Sequence, residues 1–212
     1  MQYCKQDLVF DSVDGALATV LLVHGAGADL SSDYLVDLAN RLNEQQFNVV
    51  RFNFPYMVLR QHDGKRRPPD RMPKLVDAMQ QVISLVDDKL PLFVLGKSMG
   101  SRVAVTVCEQ ESIALRGVAC IGYPFHPQKK PDKLRLEPLQ KTTKPVLILQ
   151  GERDPLGNKE EVISYELSDK SNIVFFEDGD HDLKPRVKSG FKLEQHVSRA
   201  INEFVRFVDE HS

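Results

Sequence analysis

Three short segments carry the residue types of nucleophilic acyl chemistry: Gly96-Lys97-Ser98-Met99-Gly100, Gly151-Glu152-Arg153-Asp154-Pro155 and Asp178-Gly179-Asp180-His181-Asp182. A serine hydroxyl is a weak nucleophile, so it needs an imidazole to take its proton and a carboxylate to orient that imidazole. Ser98, Asp154 and His181 supply the three groups in the chain order Ser, Asp, His, the order used where the serine sits on a G-x-S-x-G turn between strand and helix.

The first segment has a second reading. Gly96-Lys97-Ser98 also ends a phosphate-cradling G-x-x-x-x-G-K-S loop. The glycine that such a loop requires five residues earlier is Pro91 here, and the intervening LFVL reads as a buried strand rather than as flexible backbone that could wrap a phosphate. The nucleophile reading has its strand in Leu92 to Leu95, its small flanks in Gly96 and Gly100, and its helix in Ser101, Val103, Ala104 and Val107.

Competing residues are weaker. Of the other histidines, His62, His196 and His211 fall in a loop, a helix and the tail, while His24 and His126 follow strands but lie before the serine or too near it. Glu152 is the reserve for the acid, and Asp182 adjoins the histidine. The alternating Asp178, Asp180 and Asp182 resemble a calcium loop, yet the glycine and glutamate required at its sixth and twelfth positions are Leu183 and Ser189. For a developing oxyanion the N–H of Met99 is one donor, and His24-Gly25-Ala26-Gly27, after an early strand, makes the N–H of Ala26 the second. The same stretch fails as a dinucleotide loop, because the third glycine of G-x-G-x-x-G is Leu30.

The elements that must position these groups alternate regularly. Apolar, β-branched runs at 8–10, 17–24, 48–54, 92–95, 117–123, 146–150 and 173–177 predict about seven strands covered on both faces. Between them Leu35, Leu38, Ala39 and Leu42, then Leu75, Met79, Val82, Ile83 and Val86, keep to one helical face; Val197, Ala200, Ile201, Phe204, Val205 and Val208 make a longer stripe near the C-terminus. The alternation predicts an α/β fold, a mostly parallel sheet with helices on both faces, whose ligands bind beyond the carboxyl ends of the strands. The proline- and charge-rich stretches 55–73 and 124–145 are expected to be loops.

With 212 residues, the chain is expected to form one domain over 1–212. Its 28 basic and 30 acidic residues, net charge −2, give no global field for nucleic acid or membrane. Cys4, Cys108 and Cys120 have no metal or redox spacing and are expected to be reduced, buried packing residues. The opening MQYCKQDLVF lacks the apolar stretch of a secretory leader, and no run is long enough to cross a bilayer, so a cytoplasmic location is expected.

The blocks LLVHGAGAD, GKSMGSRVA, GYPFHPQKKPDKLR, LQGERDPLG and DGDHDLKPRVKSG together resemble a small α/β-hydrolase-fold family that includes bacterial proteins of unknown role, a testis-expressed vertebrate protein and a subunit of the chromatin-regulatory NSL complex. The chain is more distantly similar to dienelactone hydrolases. The resemblance implies an α/β-hydrolase fold with a triad at Ser98, Asp154 and His181, and it leaves the substrate open. Only residues 124–145 stand where larger hydrolases carry a helical cap, so little or no cap is expected.

The 55–74 segment carries Arg60, Lys65, Arg66, Arg67, Arg71 and Lys74; the 124–145 segment is also basic, and Lys184, Arg186 and Lys188 follow the histidine. One reading is a set of solvated loops. The other is a basic rim that, with Lys97, Arg66 and Arg67 as substrate-binding residues, draws an anionic substrate or partner toward Ser98. The residues therefore predict a serine hydrolase acting on a small ester or thioester without metal or cofactor. The alternative is a non-catalytic protein of the same fold that binds an acidic protein partner.

Overall fold

A computed structural model describes residues 2–86, 89–110 and 113–212. Seven strands, β1 (Leu8–Asp11), β2 (Ala18–Val23), β3 (Phe47–Phe52), β4 (Leu92–Lys97), β5 (Gly117–Ile121), β6 (Val146–Gly151) and β7 (Ser171–Phe176), form one sheet in the order β1-β3-β2-β4-β5-β6-β7. All neighbours are parallel except β1 and β3.

The central strands β2 to β6 bury both faces, whereas the edge strands β1 and β7 are only partly covered, against the expectation of seven strands covered on both faces; the period of two divides the core. Leu21, Val23, Val94, Val118 and Ile148 face one layer, which holds α3 (Met72–Leu85) and α4 (Met99–Cys108). Val20, Leu22, Leu95, Ala119 and Leu149 face the other, covered by α1 (Asp33–Glu44) and α7 (Leu193–His211). The helical stripes read from sequence lie on these buried sides: Leu35, Leu38, Ala39 and Leu42 are all buried, as are Val197, Ala200, Ile201, Phe204 and Val208. Val86 is buried too, but it caps α3 rather than lying within it.

Two expectations need correction. The 55–73 stretch is not simply a loop: α2 spans Pro55–Asp63, and α3 starts at Met72. Pro55 sits in the first turn, where a helix has no use for its missing N–H, and Gly64, at φ 70°, ends the helix in the left-handed conformation. The 124–145 stretch likewise holds a short helix, α5 (Glu137–Lys141); after β6 comes α6 (Lys159–Val162). Cys108 and Cys120 are buried free thiols, but Cys4 is exposed: it lies before the first strand, where the neighbouring Tyr3 rather than Cys4 packs into the core.

Strand order reverses around β2. From β2 the chain steps to β3 on one side and then returns to β4 on the other, which opens a crevice at the carboxyl ends of β2 and β4. Register pairs Val23 with Gly96 there, and Gly151 with Phe176 farther along the sheet. The segments after β2 and β4 are thus neighbours, and so are those after β6 and β7. Among the described residues no helix is long and apolar enough to cross a membrane.

Candidate active site

β4 runs into α4 through Ser98, whose backbone is held at φ 53°, ψ −112°. A side-chain-bearing residue at positive φ is strained, and the surroundings impose it. Ser98 N–H donates to Ile121 O on the adjacent strand at 2.9 Å. A Cβ on Gly96 would lie 2.5 Å from the N of Ser101, and one on Gly100 would lie 2.8 Å from the carbonyl oxygens of both Val23 and His24. Only glycine lets the strand, the turn and the helix approach this closely. Met99 opens α4, so its N–H belongs to the first turn, where no helical carbonyl is available to accept it.

His181 Nε2 lies 2.7 Å from Ser98 Oγ, and His181 Nδ1 lies 2.7 Å from Asp154 Oδ2. With Nδ1–H donating to the carboxylate, Nε2 is left as acceptor for the serine hydroxyl. Asp154 is fully buried and heavily bonded: Gln150 Nε2 donates to Oδ2 at 2.9 Å, and Leu156 N–H donates to Oδ1 at 2.8 Å. Gln150, itself fully buried, also takes Tyr123 N–H on its Oε1 at 2.9 Å and gives a hydrogen to Gly157 O at 2.9 Å. This amide was not singled out from sequence; its one signal is its polarity at the end of an otherwise apolar strand.

The other carboxylates have different partners. Glu152 pairs with Lys159 at 2.7 Å and accepts Asp178 N–H. Asp178 pairs with Arg153 and Arg186, Asp180 accepts the N–H groups of Asp182 and Lys184, and Asp182 pairs with Lys97 at 3.0 Å. The three alternating aspartates thus brace the loop that presents His181.

Lys97 is the residue whose placement differs most from a rim charge. It is only 8 % exposed, and Nζ donates to the carbonyl of His181 at 2.8 Å. Burial pushes its pKa below the ordinary lysine value, opposed by the Asp182 carboxylate.

His24 is buried and takes no part in the Ser98 chain. Its Nδ1–H donates to Gly25 O at 2.7 Å and its Nε2 accepts Phe54 N–H at 3.1 Å. A trans peptide points its N–H opposite its carbonyl, so anchoring Gly25 O turns the N–H of Ala26 away from His24. Tyr56 Oη then donates to Ala26 O at 3.0 Å, which holds the next peptide too.

Ser98 lies at the border of two cavities. One, of about 520 Å³, is lined by His181, Asp182, Lys97, Tyr34 and Lys184. The other, of about 270 Å³, is lined by Ala26, Met99, Arg102, Arg135 and Leu156 among others. Arg66 and Arg67 line neither; Arg67 instead folds back to make a two-pronged ion pair with Asp63, the last residue of α2. Lys97 and Lys184 are the basic side chains of the larger cavity; those of the smaller one are Arg102, one helical turn after the serine, and Arg135 from the 124–145 segment. Their spacing to Ser98 on α4 could have flagged Arg102, whereas nothing local pairs it with Arg135.

A family model described as alpha/beta hydrolase domain matches residues 16–209, so the chain belongs to that family. Among solved structures it is similar to a dienelactone hydrolase from Anabaena variabilis, at 17% identity and TM-score 0.73, over 94% of this chain and 90% of that one. It is also similar to an alpha-beta serine hydrolase homologue from Coxiella burnetii (18%, TM-score 0.68, 94% and 89%). A third is a serine hydrolase without lid from Xanthomonas campestris (18%, TM-score 0.67, 94% and 88%). At such identities the likeness is one of fold.

Proposed function

We propose that this chain is a serine hydrolase that cleaves a small ester or thioester through an acyl-enzyme. The observation that carries the reading is the continuous chain from Ser98 Oγ through the His181 ring to Asp154, with 2.7 Å at each contact. Ser98 Oγ attacks the carbonyl carbon as its proton passes to His181 Nε2; the oxyanion takes the N–H groups of Ala26 and Met99. The carbonyl re-forms, the bond to the leaving group breaks, and that group departs with the proton from Nε2. Water then repeats the sequence on the acyl-enzyme, with His181 as base and Ser98 as leaving group. Asp154 stays ionised throughout and holds the ring in the required tautomer. Each step uses only groups of this chain and water.

Membership of the alpha/beta hydrolase domain family supports this reading, and the similar proteins described as serine hydrolases agree with it. The test is labelling with a fluorophosphonate probe beside Ser98→Ala and His181→Ala controls. Labelling of the wild-type protein should vanish in the serine variant and be strongly slowed in the histidine variant. Folded wild-type protein that takes no label at Ser98 would instead point to a non-catalytic binding protein.

A further inference from the structure

The two cavities at Ser98 differ in what they can hold. A leaving group must receive its proton from His181 Nε2, so it belongs in the cavity that His181 lines. The acyl half is left the other cavity, which Met99 lines and His181 does not, while Ala26 borders both.

That second cavity contains an unbalanced pair of cations. Arg102 and Arg135 both line it, both are half-buried, and among the described residues neither guanidinium forms an ion pair. Burial and the charge of Arg102, in that order, both disfavour the Arg135 cation. Asp70 shares the lining but is already committed, accepting Lys74 Nζ at 2.8 Å and Tyr56 N–H at 2.9 Å. Both arginines stand on fixed backbone. Arg102 N–H donates to Ser98 O at 3.2 Å, while Arg135 donates to Phe125 O at 2.8 Å and accepts Tyr123 Oη at 2.9 Å. The walls of the same cavity also include the apolar side chains of Met72, Leu75, Pro124 and Leu156.

Like charges held together without a counter-ion are destabilising unless an anion joins them, and a guanidinium fork matches a carboxylate. We propose that Arg102 and Arg135 bind a carboxylate at the far end of the acyl group, so that the preferred substrates are half-esters or half-thioesters of short dicarboxylic acids. The inference rests on the hydrolase reading and assigns its acyl specificity.

The experiment compares p-nitrophenyl hemiglutarate with p-nitrophenyl valerate, whose acyl chain has the same length and no charge. The wild-type kcat/KM ratio should favour the hemiglutarate by roughly 10–100-fold, the factor that a charge-assisted hydrogen bond supplies, and should fall toward one in the Arg102→Met/Arg135→Met protein. A ratio near one in the wild type, or one that the double substitution leaves unchanged, overturns the inference while the hydrolase reading stands. Glutarate binding to Ser98→Ala protein, measured by calorimetry, gives a readout independent of turnover. Binding should weaken at least about tenfold when both arginines are replaced. If no ester is turned over and no probe reacts, the hydrolase reading falls; glutarate binding that does not depend on the arginines overturns the subsite.

Discussion

Lys97 Nζ donates to the carbonyl oxygen of His181 at 2.8 Å, so the residue before the candidate nucleophile holds the backbone of the candidate base. The two loops are far apart in sequence, and this contact ties them together beside the Oγ to Nε2 hydrogen bond. Asp182 satisfies the same ammonium at 3.0 Å. Lys97→Met is expected to free the His181 loop and to lower kcat by roughly 10–100-fold, because small misplacements of a reacting pair are costly. Steady-state kinetics on an activated ester should show kcat falling more than KM changes. An unaltered kcat would show that the loop is held without Lys97.

Gln150 serves the acid as Lys97 serves the base. Its Nε2 donates to Asp154 Oδ2 at 2.9 Å, inside a fully buried cluster. Asp154→Asn is expected to cut kcat by about 10⁴-fold, since an amide cannot hold the same histidine tautomer. Gln150→Leu removes a donor from a buried carboxylate and an acceptor from Tyr123 N–H, and it should destabilise the fold by about 1–3 kcal/mol. Urea denaturation measures the second effect and single-turnover kinetics the first. Stability equal to wild type in Gln150→Leu would contradict the account.

His24 makes the fold sensitive to acid. Desolvation by burial lowers its pKa from the ordinary 6.5 to about 4, against smaller opposing effects of its bond to Gly25 and the charge of Asp29. The neutral ring is also the form that fits, because Nε2 must accept from Phe54 N–H. Between pH 6.5 and 4 the unfolded chain therefore binds a proton that the folded chain does not, and stability falls as the pH falls through that window. The contribution lost is roughly 3 kcal/mol. His24→Gln, which does not titrate, should show a shallower decline in urea-unfolding free energy from pH 7 to pH 4. Parallel declines in the two proteins would remove His24 as the cause.

Much of the fold is local information. The strands announce themselves as apolar runs, α1 and α7 as stripes, and the family expectation rests on blocks that hold the same elements together. Boundaries shift by a residue or two, as between the expected 117–123 run and β5 at Gly117–Ile121. The helix over Pro55–Asp63 escapes notice because proline and charge look like loop material until a capping glycine and a buried face are seen.

What the sequence by itself determined is the order of the seven strands and of the longer helices α1, α3, α4 and α7, and the placing of Ser98, Asp154 and His181 after β4, β6 and β7, because periodicity and glycine punctuation act over a few residues. Only the tertiary structure decided which groups meet: Ser98 with His181, Lys97 with the His181 carbonyl, Gln150 with Asp154, and Arg102 with Arg135 in one cavity, away from Arg66 and Arg67. The reason is that a charge read along the chain carries no direction. A lysine reads as a rim residue until sheet register turns it inward, and two distant arginines become a pair only when α4 and the 124–145 segment pack against the same end of the sheet.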